Sequence, residues 1–116
     1  MTPSKREFDA LSIDQFEAEL RRFTQSRPII PVADPLERAV KLIEQNPAQS
    51  RSRLLVRLLS ALSGRPAEFR YAEVASLDSA TISIVVQLME ARRSGGTAQE
   101  AWLRAAERAS ACQDAA

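Results

Sequence analysis

The chain of 116 residues has no histidine, a single cysteine and only three glycines. Without imidazole it lacks the side chain that most often serves as a general base near neutral pH and the commonest metal ligand, so triads, dyads and zinc sites built on histidine are excluded. One cysteine, Cys112, permits no internal disulfide and suits a reducing compartment, and its Ala and Ser neighbours offer nothing to lower a thiol pKa. An excess of one charge is missing too. Sixteen Lys and Arg face 15 Asp and Glu, a net charge of +1, which creates no global field directed at nucleic acid or an anionic membrane. No apolar run approaches bilayer-spanning length, and the opening MTPSKREFDA carries charge but no apolar leader core. Phosphate-binding glycine loops and Cys/His ligand spacings are absent as well. These absences predict a non-catalytic, soluble, cytoplasmic protein that needs neither cofactor nor metal.

What is present is a chain that is 45% hydrophobic and 27% charged, the composition of one small domain with a real core. Residues 1–11 read as a flexible N-terminus from which Phe8 and Leu11 can dock, residues 12–112 as a single helical domain, and residues 113–116 as a disordered tail. Ser12 with Gln15 forms a capping box, and Leu11 with Phe16 a hydrophobic staple. Ile13, Phe16, Leu20 and Phe23 then recur at steps of three and four, one apolar stripe on a first helix that ends near Gln25.

Pro28 and Pro31 bracket Ile29, Ile30 and Val32 in an extended segment too apolar for a solvated tether. It reads as a strap lying in a groove of its own domain or of a partner. Asp34-Pro35 with Glu37 opens a second helix whose inner face is Leu36, Ala39, Val40 and Ile43. Asn46-Pro47 with Gln49 repeats that grammar and predicts a third helix over Pro47 to Ser63, the central helix of the core, stopped at Gly64 with Pro66 beyond. Residues 67–77, with Phe69, Tyr71 and Val74, are compatible with a short strand, a turn of helix or an irregular crossing. Asp78 caps a fourth helix running to about Arg93, before Gly95-Gly96. Helical punctuation on both sides overrides the strand propensity of TISIVV. Thr97 with Glu100 opens the last helix, on which Trp102, Ala105, Ala106 and Ala109 share a face. The expected fold class is all-α, a compact bundle of about five helices with the first joined by the Pro-bracketed apolar strap.

Two constellations bear on function. The first is the helix stripe and strap, Ile13, Phe16, Leu20, Phe23, Ile29, Ile30 and Val32, an amphipathic element able to pack on its own domain, exchange with a second copy or seat against another protein. It predicts an interaction protein, working as a homodimer. The second is the acid-free stretch between Asn46 and Ala67, where Arg51, Arg53 and Arg57 could line up phosphate contacts in a nucleic-acid-binding regulator. The text AEVASLDSATISIVV resembles the helix-turn-helix wording of bacterial repressors at Glu73, Val74, Ala75, Ser79, Ala80, Thr81 and Ser83. It departs from that pattern in a short first helix, no glycine turn, and no base-reading side chain before Gln87. Asp14, Glu17, Glu68, Glu73 and Asp78 are explained as caps and surface charges.

Across residues 34–104, the Leu36-Glu37-Arg38 helix, the Gln49-Ser50-Arg51 joint, the Leu-rich third helix and Leu77-Asp78 resemble a family of small helical domains encoded on proteobacterial mobile elements. The Trp-containing segment that such domains carry before their fourth helix is absent here. The resemblance implies a bacterial helical domain and attaches no activity to it.

Overall fold

The computed structural model describes residues 10–25, 29–65, 67–95 and 98–115. Phe8, Pro28, Pro66 and the cap expected at Thr97 lie outside the described residues. Among those described, six helices and one two-residue ladder follow in the order β1 (Ala10–Leu11), α1 (Ile13–Thr24), α2 (Pro35–Gln45), α3 (Ser50–Leu62), β2 (Phe69–Arg70), α4 (Tyr71–Ala75), α5 (Ser79–Ser94) and α6 (Gln99–Ala115). The fold is all-α.

Local chemistry sets most boundaries. At the start of α1 the Ser12 hydroxyl accepts the Gln15 N–H at 3.3 Å and the Gln15 side chain accepts the Ser12 N–H at 2.9 Å, the reciprocal box the sequence predicts. Asp34 accepts the Glu37 N–H at 3.2 Å at the head of α2, but the Glu37 carboxylate does not turn back to complete a box. It lies 3.3 Å from Arg108 of α6 instead. Helix α3 ends in a Schellman turn, with the Arg65 N–H on the Ser60 carbonyl, the Gly64 N–H on that of Ala61, and Gly64 at φ +105°. Gly95, at φ +72°, closes α5 in the same left-handed region.

Two expectations are corrected, at the start of α3 and in the C-terminal tail, one left open is resolved, and the docking open to Leu11 is observed. Helix α3 begins at Ser50, not at Pro47: the Asn46 N–H bonds the Leu42 carbonyl and so finishes α2, residues 47–49 make a turn, and Gln49 takes the N-cap position. Residues 67–77 combine both regular options, a strand of two residues and then a helix of five. The N-terminal segment is ordered at its end, because Ala10 and Leu11 pair antiparallel with Arg70 and Phe69, and Leu11 is buried. The C-terminal tail is helical to Ala115, anchored by the Gln113 side chain donating to the Pro47 carbonyl.

The core is shared by α3 and α5, not centred on α3 alone. Helix α3 buries Leu54, Leu55, Leu58, Leu59 and Leu62 against α2, α5 and α6. In α5 all five residues from Thr81 to Val85 are buried, so its first half is surrounded on every side, and the packing of β-branched side chains outweighs their poor helix propensity. Trp102, Ala105, Ala106 and Ala109 of α6 are buried, and the three alanines leave room for close approach to α2 and α3. Helix α1 closes the other side, on α5 and on α4, with Phe16 stacked on Phe69 at 4.3 Å between ring centres.

Candidate interaction surface

The apolar stripe of α1 faces its own domain. Phe16 and Leu20 have no exposed surface, and Ile13, Phe23 and Val32 pack half-buried against the same core. As surface contacts, Phe16 and Leu20 are therefore ruled out in the folded chain, because the hydrophobic driving force that made them candidates is already spent within it. Ile29 and Ile30 differ, being 40% and 53% exposed.

Their backbone is held firmly. The Ile30 N–H donates to the hydroxyl of fully buried Ser83 at 2.9 Å, and the Val32 N–H donates to Gln87 Oε1 at 2.9 Å. Gln87 Nε2 in turn donates to the Ile30 carbonyl at 2.8 Å and to that of Ser83 at 2.9 Å. The carboxamide of Gln87 thus offers the strap one donor and one acceptor, as the peptide unit of a neighbouring strand would. Two polar residues at i and i+4 within a buried run, Ser83 and Gln87, are the sequence signal for this clasp. Read as part of a helix-turn-helix, they pointed elsewhere.

Beside the strap, α1 and α5 enclose a small hollow of about 130 Å³. Its apolar lining is Leu20, Ile29, Val86 and Met89, and its polar lining is Glu17, Arg21, Thr24 and Glu90. Arg21 is 4.0 Å from Glu17 of its own helix, and Glu90 has no partner among the described residues. A larger cleft of about 390 Å³ opens between the start of α1 and the ends of α3 and α5. Most of its polar lining is engaged: Arg92 donates to the Leu62 carbonyl at 2.6 Å, and Arg93 pairs with Glu17.

The basic strip is largely consumed within the fold. Both Nη groups of Arg57 bond the Glu73 carboxylate, one also reaches the Glu68 carbonyl at 3.1 Å, and the guanidinium lies 5.8 Å over the Phe69 ring. Partial burial alone would push the Glu73 carboxyl up, but the hydrogen bonds and charge of Arg57, with the Arg70 N–H, outweigh it and hold the pKa below the ordinary value. Arg51 bonds Gln49 at 2.8 Å and sits 3.7 Å from Asp78. The Asp78 carboxyl is likewise lowered overall, since the Thr81 hydroxyl and the Arg51 charge offset its burial. Only Arg53 of the three stands exposed and free of any ion pair among the described residues. The helix-turn-helix reading meets a similar obstacle, for Thr81 and Ser83 are fully buried and Gln87 is engaged by the strap.

What these elements define is an all-α domain whose outward feature is an apolar strap clasped on one helix. Among the described residues no group of His, Cys, Asp or Glu is placed to hold a metal ion, and no helix is long and apolar enough to cross a membrane. Compared with family models, with curated proteins and with solved structures, the chain matches none. The resemblance of residues 34–104 to mobile-element domains rests on the sequence pattern alone.

Proposed function

We propose that this chain is a non-catalytic, cytoplasmic bacterial protein that acts through protein–protein contact, as a homodimer, using the outward side of its strap. The observation that carries this reading is the pair Ile29 and Ile30, exposed on a backbone fixed by hydrogen bonds to Ser83 and Gln87. Two large aliphatic side chains held in water gain free energy when covered, and a fixed backbone lowers the ordering cost of covering them. Docking of two folded chains fits this geometry better than exchange of α1. Exchange would require withdrawing Phe16 and Leu20 from the core and breaking the strap's bonds before any are remade.

The test is the mass of the full chain in solution, measured by sedimentation equilibrium for the wild type and for a double variant Ile29→Ser, Ile30→Ser. The expected result is a dimer for the wild type and a monomer of unchanged helical content for the variant. A wild type that stays monomeric up to its solubility limit overturns the reading.

A further inference from the structure

The hollow between α1, α5 and the strap carries the homodimer reading further, to a specific register. We infer that two copies meet about a twofold axis at this hollow, the Ile30 of each copy entering the other's hollow and Arg21 of each copy facing Glu90 of the other. The inference rests on the reading of the chain as a homodimer and adds the surface and the pairing.

Three observations point to a second copy as occupant. The hollow is lined on its apolar side by Leu20, Ile29, Val86 and Met89 and holds only about 130 Å³, so it suits one aliphatic side chain and not a drug-sized ligand. The most exposed large apolar side chain among the described residues, Ile30, follows in the chain directly after Ile29, which lines the hollow. The polar lining carries Arg21, Glu17 and Glu90, and Glu17 is engaged by Arg93, which leaves one cation and one anion for a partner. Arg21 is more than half exposed and reaches Glu17 only at 4.0 Å, while Glu90 is exposed and unpaired among the described residues.

A twofold contact brings one patch against itself, so each residue i meets a residue j while j meets i. A patch rimmed by a single sign of charge would repel its own copy. One that carries both a knob beside a hole and a plus beside a minus is complementary to itself. Every contact then occurs twice, and reversing one charge in the sequence creates two like-charge contacts in the dimer.

Charge reversal tests the register. Arg21→Glu alone and Glu90→Arg alone are each expected to raise the dimer dissociation constant about tenfold or more, while the double variant Arg21→Glu, Glu90→Arg returns it toward the wild-type value. Ile30→Glu is expected to give a monomer. Its side chain is half in water already, so its thermal unfolding curve at low concentration should match that of the wild type. Single reversals that leave a wild-type dimer intact, or a double variant no tighter than either single one, overturn the register while leaving the homodimer reading standing. A monomeric wild type removes both.

Discussion

Ser52 is the one buried side chain among the described residues whose polar atom has no hydrogen-bond partner. A hydroxyl withdrawn from water without a partner costs roughly 1–3 kcal/mol, and alanine is the better helix former. Ser52→Ala is therefore expected to stabilise the protein by about 1 kcal/mol, read as a higher urea midpoint at an unchanged slope. Glu73 sets the opposite case. Its folded pKa lies below the ordinary value of 4.5, so the stabilisation from its pairing with Arg57 is fully present above pH 4.5 and is lost as the pH falls through the folded value. Glu73→Gln removes the titration. The gap in unfolding free energy between wild type and this variant should narrow as the pH drops below 4.5, and a gap constant across that range contradicts the assignment. Neither residue was legible alone. The sequence put Arg57 on a basic strip because its neighbours carry no acid, yet the carboxylate that engages it stands 16 positions away.

Helix punctuation could be read directly from the sequence at four helix ends, whereas Glu37 leaves the Asp34 box for Arg108 and Asp78 holds the N-cap position of α5 without a side-chain cap bond. Ser12, Asp34, Gly64 and Gly95 act within a turn of their own position, so a capping oxygen or a left-handed glycine has the same effect whatever packs outside. Asn46-Pro47 misled because the same residues serve as a stop and a start. Here the Asn46 N–H closes α2, and Gln49 opens α3 after a turn. The strap was recognised as apolar and extended, but the polar clasp that holds it comes from residues more than fifty positions away. Gln87→Leu tests that clasp. It keeps the bulk of the side chain on α5 and removes both bonds to the strap, so the Val32 amide should exchange with solvent far faster, with about 1–3 kcal/mol of stability lost. Protection of that amide equal to the wild type would show that the clasp contributes nothing.

For the whole molecule, the strap is the part of the described surface where two large aliphatic side chains, Ile29 and Ile30, stand exposed side by side, and the proposed dimer rests on it. The proposed self-association would make unfolding depend on mass action, so on that proposal the wild-type Tm rises with protein concentration, whereas that of Ile29→Ser, Ile30→Ser does not. A wild-type Tm independent of concentration, measured by calorimetry over a wide range, would count against the dimer. The sequence by itself determined the fold class, the helix ends at Ser12, Asp34, Gly64 and Gly95, and the apolar faces that build the core, because capping and periodicity act over one or two turns. Only the tertiary structure decided that Phe16 and Leu20 are buried while Ile29 and Ile30 stay partly exposed, that Arg57 is held by Glu73 while Arg53 has no ion pair among the described residues, and that α5 shares the centre with α3. Each of those outcomes depends on which distant segment arrives as neighbour, and burial and ion pairing are properties of that meeting and not of either segment alone.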